Sequence, residues 1–312
     1  MRIVFMGTPE FAVPSLEMLV NEGYEVIAVV TQPDKPKGRG NKMAAPPVKE
    51  FALKHQIEVL QPDKIKTPEF IDQIKALKPD LLITAAYGKI LSRELLEVPV
   101  HGCINVHGSL LPAYRGAAPI NWAVINGEKK TGITTMYTDV GLDTGDMLLK
   151  KELEIGPDMT AGELHDKMAV LGAEVLKETL TALKNGTLQR IPQDDSQSSY
   201  APMMNKELGQ IDWSKNAEEI HNLVRGTNPW PGAYTFLNGN RMRVWKTSLV
   251  HGKSDAETAN GKILKVDDEG ILVKCKDGHL LIKEVQFDSS KRMSVGDYIR
   301  GHELHAGETL GK

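Results

Sequence analysis

Short apolar runs alternate with amphipathic stretches through the first 185 residues, a pattern that predicts an α/β domain built on a mostly parallel sheet. Strands are expected at Arg2–Met6, Glu25–Val30, Glu58–Leu60, Leu81–Ala85 and Gly102–Val106, then at Ile133–Thr138 and Met147–Leu153. Those in the middle of such a sheet read as continuous apolar runs, because both faces are covered. Between them the spacing predicts helices over Pro14–Asn21, Pro47–Gln56, Glu69–Leu77, Ser92–Leu96 and Ala118–Ile125. The longest periodic helix is Thr160–Lys184. Thr160 is a suitable N-cap, Glu163 three residues on completes a capping box, and Asn185-Gly186 ends the helix.

The periodicity then stops. QDDSQSSYAP, from Gln193 to Pro202, is polar, Ser-rich and without either period, which makes it a linker by composition. Beyond it come one helix, Ala217–Arg225, and a turn-rich β pattern. Tyr234–Leu237 and Arg241–Trp245 flank an Asn-Gly hairpin turn, and Lys262–Val266, Ile271–Cys275 and Leu280–Val285 follow. The expected fold class is therefore α/β: a Rossmann-like, mostly parallel sheet domain over 1–188, a linker over 189–205, and a smaller C-terminal antiparallel β-barrel, OB-like, over 206–312.

Composition narrows the class. The 41% hydrophobic and 25% charged fractions are those of a soluble globular protein, and no apolar run approaches the ~20 residues that span a bilayer. MRIVFMGTPEF ends in Gly-Thr-Pro-Glu rather than at a small-residue cleavage site, so it reads as a first strand and the expected location is cytoplasmic. Cys103 and Cys275 form no CxxC or metal-ligand spacing, and Cys103 is expected to pack as a small apolar residue. His302 and His305 lack a third ligand nearby, so no metal is expected. The net charge of −3 argues against a protein that coats nucleic acid indiscriminately. Residues 1–205 carry 22 Lys and Arg against 26 Asp and Glu, and 206–312 carry 16 against 15, so any RNA contact must come from a local patch.

The candidate chemistry lies in CINVHGSLLP, from Cys103 to Pro112. A strand sends alternate side chains to opposite faces, so Asn105 and His107 share one, and Gly-Ser and Pro end the strand just beyond them. The loop DVGLDTGDM, Asp139 to Met147, carries two Gly and three carboxylates and is expected at a carboxyl edge of the sheet, where open α/β sheets bind ligands. An amide and an imidazolium donate to an oxyanion, and a carboxylate orients and charges the imidazole. None of the three forms an acyl-enzyme, so the attacking group belongs to the substrate. Spacing alone leaves open whether the Asn-x-His pair is structural or catalytic.

NVHGSLLPAYRGAAPINWA from Asn105, together with DVGLDTGDM, closely resembles the folate-dependent formyltransferases. The resemblance covers both domains, through MGTPEFAVPSL, TQPDKPKGRG, ITAAYGKIL and IDWSKNAEEIHNLVRGTNPWPGAY. The last of these resembles the branch that formylates the α-amine of methionine carried by charged initiator tRNA, for translation initiation. The resemblance implies 10-formyltetrahydrofolate as donor and no metal. It implies that Asn105 and His107 hold the formyl oxygen while Asp143 pairs with His107. Ser109, Leu110, Leu111 and Pro112 would line the folate site, with Ile90 and Leu91 giving backbone contacts to the pterin. Lys35 to Lys49 holds five positive residues and no carboxylate, and three Pro and two Gly make it a long surface loop. In the family the matching loop enters the tRNA acceptor stem, which implies contacts from Arg39 and then Lys35, Lys37 and Lys42. Neither DNA nor a membrane is an expected partner, and a monomer is expected because one chain supplies both catalytic and docking domains. Three other readings remain at this point: formylation of an amino sugar nucleotide, passage of formyl to water, and a non-catalytic RNA-binding module.

Overall fold

The computed structural model describes residues 1–37, 42–250 and 257–311. The chain forms two compact units: Met1–Pro119 with Thr131–Leu153 and His165–Pro202, and Ile120–Lys130 with Glu154–Leu164 and Met203–Lys312. Along the first 202 residues run β1 (Arg2–Gly7), β2 (Glu25–Val30), β3 (Lys35–Lys37), β4 (Lys42–Ala44), β5 (Val59–Leu60) and β6 (Leu81–Ala85). After them come β7 (Cys103–His107), β8 (Arg115–Gly116), β9 (Lys130–Tyr137), β10 (Met147–Glu154) and β11 (Tyr200–Ala201). The helices are α1 (Val13–Asn21), α2 (Pro47–Lys54), α3 (Pro68–Leu77), α4 (Arg93–Leu96), α5 (Pro119–Ile125) and α6 (Ala161–Lys184).

The first unit is a seven-stranded sheet of order β10-β9-β7-β6-β1-β2-β5. The pairs β1–β2, β1–β6, β2–β5 and β6–β7 are parallel, and β7–β9 is antiparallel. The apolar runs of β1 and β6 are covered on both faces. Val4, Met6 and Leu82 meet Phe70, Ile74 and Leu95 of α3 and α4 on one side, and period-2 geometry sends the fully buried Ile3, Phe5 and Ile83 to the other. On α6, a Cβ at Gly172 would stand 3.0 Å from Val106 Cγ1, so the missing side chain lets that helix lie close on β7. A buried hydroxyl pair, Thr135 Oγ1 and Thr179 Oγ1 at 2.7 Å, ties α6 to β9. The Thr160–Glu163 capping box forms as expected: Glu163 N–H donates to Thr160 Oγ1 at 3.2 Å, and Thr160 N–H to Glu163 Oε2 at 2.8 Å.

The described residues at either side of 38–41 are paired strand rather than loop. β3 and β4 pair antiparallel, Lys35 opposite Ala44 and Lys37 opposite Lys42. Lys49 leaves the cationic patch: its Nζ lies 2.9 Å from Asp34 and donates to Gln61 Oε1 at 2.7 Å, pinning the hairpin's base. Hydrogen bonds from Lys49 and then from Gln61 Nε2, which donates to Asp34 Oδ1 at 2.8 Å, hold the Asp34 carboxyl below the usual carboxylate range. A depressed folded-state value means the pair's contribution is complete above the ordinary pKa of about 3.9 and is lost as pH falls through Asp34's lower one. Loosening of the hairpin base, read by amide hydrogen exchange, is therefore expected only in strong acid, and Asp34→Asn should abolish that acid dependence.

The second unit adds α7 (Ala217–Gly226), β12 (Ala233–Leu237), β13 (Asn240–Val250), β14 (Ile263–Asp267), β15 (Gly270–Lys274), β16 (His279–Phe287), β17 (Met293–Ser294) and α8 (Val295–Ile299). Its antiparallel sheet runs β12-β13-β16-β15-β14, with β17 on β16. β13 reaches Val250 where the alternation predicts an end at Trp245. Register shifts between Val244 and Thr247 reverse the period there, which hides the second half of the strand from a period-2 reading. The segment carrying Gly307 to Gly311 bridges the two outer strands. Ile263 N–H donates to Glu308 O, Leu310 N–H to Gly261 O and Gly311 N–H to Phe236 O, each at 2.8 Å, and Leu310 joins the core. On α7, His221 and Arg225 are buried yet satisfied: His221 Nε2 donates to Pro157 O at 3.1 Å, and Arg225 to Met159 O at 3.1 Å and Asn222 Oδ1 at 2.8 Å.

Candidate active site

Asn105 and His107 lie on β7 between β6 and β9. In the register Asn105 sits beside Thr84 of β6, whose hydroxyl donates to Asn105 Oδ1 at 2.9 Å. That bond occupies the acceptor end of the amide and leaves Nδ2 to donate elsewhere. His107 is buried. Its Nε2 donates to the Tyr114 carbonyl at 3.0 Å, and its Nδ1 faces Asp143 Oδ2 at 3.7 Å. Both ring nitrogens thus face oxygen atoms, the Tyr114 carbonyl within hydrogen-bond range and the Asp143 carboxylate just beyond it.

The three carboxylates of the Asp139–Met147 loop have separate occupations. Asp139 Oδ1 accepts from Gly141 N–H at 2.9 Å and Thr144 Oγ1 at 2.7 Å, folding the loop on itself. Asp146 pairs with Arg190 at 2.8 Å. Asp143 alone turns to the imidazole, and its Oδ2 also accepts from Gly116 N–H at 2.8 Å. Its route there differs from the expected one. Because β9 runs antiparallel to β7, Thr138 N–H bonds Cys103 O at 2.8 Å, so the loop departs beside the start of β7 rather than at its carboxyl end. It then reaches back to His107 along the strand.

The turn after β7 is built from inside. Ser109 is fully buried, and its hydroxyl donates to Ala113 O at 2.6 Å. Leu111 N–H donates to Thr134 Oγ1 at 3.1 Å, and that hydroxyl donates on to Ser109 O at 2.7 Å. Lys150 Nζ donates to the Leu111 carbonyl, and burial pushes its pKa down. Leu111 packs with Met136 and Met147, and Leu91 lies in the sheet core, whereas Leu110 and Pro112 are half-buried and Ile90 is exposed. The side chains of Ser109, Leu111 and Leu91 are therefore turned into the protein, and the main chain of Ser109 and Leu111 is tied to Thr134 and Lys150. Cys103 packs against the sheet as expected, and burial pushes its thiol up to about 11. Lys35 and Lys42 are exposed on the hairpin, with Lys37 in β3, and Arg39 lies outside the described residues.

Residues that composition did not mark complete the arrangement: Thr84, Tyr114 through its carbonyl, Arg115, Gly116 through its N–H, Lys150 and Gln193. Thr84, Tyr114, Arg115 and Gly116 lie inside the stretches that carry the family resemblance, whereas Lys150 and Gln193 lie outside them.

An amide donor beside an imidazole and a carboxylate can polarise a carbonyl for attack by a second substrate. The chain belongs to the formyl transferase family: residues 1–180 match the family described as "Formyl transferase", and 203–303 match "Formyl transferase, C-terminal domain". Among curated relatives, the methionyl-tRNA formyltransferase of Ruminiclostridium cellulolyticum is 73% identical over 312 residues, covering 100% of both chains. That of Clostridioides difficile is 57% identical, again over 100% of each. Among solved structures, the sugar 3N-formyl transferase WlaRD, crystallised with dTDP and 5-N-formyl-THF, shares the fold. It has a TM-score of 0.67 at 20% identity, and the match covers 93% of this chain and 99% of that one.

Proposed function

We infer that this chain transfers a formyl group from 10-formyltetrahydrofolate to the α-amine of methionine esterified to initiator tRNA. Identity of 73% over 100% of both chains to a protein named methionyl-tRNA formyltransferase is the observation that carries the reading. In the reaction the free amine attacks the formyl carbon, a C–N bond forms, and the carbonyl oxygen takes up charge. The bond from formyl carbon to folate nitrogen then breaks, with one proton leaving the incoming amine and one reaching the departing nitrogen. Asn105 Nδ2, left to donate by Thr84, is suited to the oxyanion. The imidazole of His107 contributes an N–H only by relaxing one of its two contacts, and the 3.7 Å approach to Asp143 is the looser of them. The Asp143 carboxylate steadies the charged ring while it carries the proton.

The hairpin of β3 and β4 supplies tRNA contacts by charge. Lys35 and Lys42 are exposed, and phosphate neutralisation gives affinity that falls with salt. The test offers the purified protein 10-formyltetrahydrofolate with charged methionyl initiator tRNA, free methionine or an amino sugar nucleotide. Transfer to the tRNA alone is expected. Transfer to the sugar, or formate release without an acceptor, sinks the substrate assignment. Lys35→Glu with Lys42→Glu should raise KM for the charged tRNA, leave KM for the folate unchanged, and reduce the slope of log affinity against log salt by about one per lost phosphate contact.

A further inference from the structure

We propose that Gln193 is the positioning residue for Asp143 and that Arg115 holds it in place, an inference that rests on reading Asp143 as the partner of His107. The Gln193 carboxamide spends every hydrogen-bonding group it has on two tasks. Its Nε2 donates to the main-chain carbonyls of Asp143 at 2.7 Å and Gly145 at 2.8 Å. Its Oε1 accepts from Arg115 Nε at 3.0 Å and from the same guanidinium's Nη2 at 2.8 Å. Two carbonyls demand the NH2 end on one side and a guanidinium demands the oxygen on the other, so the amide has a single workable orientation. Arg115 is itself well covered, with 12% of its side chain exposed, and its Nη2 also reaches Asp195 at 2.7 Å.

What Gln193 grips needs gripping. Asp143 has φ of 53°, the left-handed region that a residue with a side chain occupies only when its surroundings insist. The same strap reaches the other side of the pair. β8 lies parallel to β11, Gly116 N–H holds the Asp143 carboxylate, and Ser199 Oγ accepts from Tyr114 N–H at 2.9 Å, next to the carbonyl that takes His107 Nε2. One segment, 193–201, therefore sets the main chain of Asp143 and backs the acceptor of His107. Its polar, aperiodic composition reads as a spacer, and its side chains serve instead as a jig for the catalytic loop.

Side-chain chemistry supplies the test. Gln193→Glu keeps the length and the Arg115 contact but has no N–H to offer two carbonyls, while Gln193→Ala removes both. If the donors matter, both variants lose kcat by about 10–100-fold, the scale of a misplaced catalytic group. KM for the charged tRNA and for 10-formyltetrahydrofolate should stay within about threefold, as expected when only the transition state is affected. If the residue is only a structural tether to Arg115, Gln193→Glu keeps wild-type kcat and the proposal fails. Action through Asp143 further predicts that adding Gln193→Glu to Asp143→Asn costs much less than it does alone; full multiplication of the two losses overturns the proposal. Asp143→Asn run alone separates the two failures. Wild-type activity there removes the reading of Asp143 itself. A dead Asp143→Asn beside normal Gln193 variants removes only the positioning role. Thermal unfolding of each variant accompanies the kinetics, and Gln193→Glu carries the test if Gln193→Ala does not fold.

Discussion

His107→Ala and Asp143→Asn are each expected to cut kcat by about 10²–10⁴-fold while KM for either substrate stays within a few-fold. The expectation follows from what each change leaves in place. His107→Ala empties a buried position against the Tyr114 carbonyl and removes the ring to which the proposed reaction assigns the proton. Asp143→Asn is the cleaner probe, because its carbonyl oxygen still accepts the Gly116 N–H bonded at 2.8 Å, so the loop stays anchored. Only the charge facing Nδ1 at 3.7 Å is lost. Single-turnover formylation of charged tRNA with saturating folate reads the chemical step directly. A variant at Asp143 with wild-type kcat would show that the carboxylate serves the loop and not the ring.

Gly145→Ala should be the most damaging of the glycine changes around the site. An added Cβ would lie 1.8 Å from the Tyr137 carbonyl oxygen, a backbone atom that cannot swing aside. Neighbouring main chain is pinned too, since Tyr137 N–H donates to Asp146 O at 2.9 Å and Gln193 holds Gly145 O at 2.8 Å. Relief requires β9 and the loop to part, at a cost on the order of 2–4 kcal/mol, in the range of severe overpacking. That is a fall of about 5–15 °C in melting temperature, accompanied by loss of transfer as Asp143 moves with the loop. Gly186, with φ of 68° and nothing within 4 Å of its added Cβ, is the control: alanine there meets only the conformational penalty of about 1 kcal/mol. Equal melting temperatures for the two variants would refute the steric argument.

The contrast between β7 and the loop that meets it shows what a chain discloses. Asn105 and His107 were legible because a two-residue period is a property of any strand, whatever its neighbours. Asp143 stood out from Asp139 and Asp146 only through the family resemblance, because its distinction is spatial: the other two are consumed by Thr144 and by Arg190. The direction of β9 was invisible, since a buried strand has the same apolar run either way round. The hairpin of β3 and β4 was hidden by Gly, Pro and Lys, and the extent of β13 by its register shifts. Gln193 gave no signal at all. A lone amide in a serine-rich stretch acquires meaning only from the carbonyls it meets.

The strap has a consequence for how such proteins are taken apart and recombined. Family profiles end at 180 and resume at 203, so Gln193, Ser199 and the strand Tyr200–Ala201 fall in the gap between them. A chimaera joined before 193 would inherit the Asp139–Met147 loop from one parent and Gln193 from the other. Exchanges at 203 keep Arg115, Asp143 and Gln193 from a single lineage; exchanges at 181 separate them. A crossover between 181 and 193 thus parts a loop from the amide proposed to hold it, within the stretch whose composition looks freest to drift.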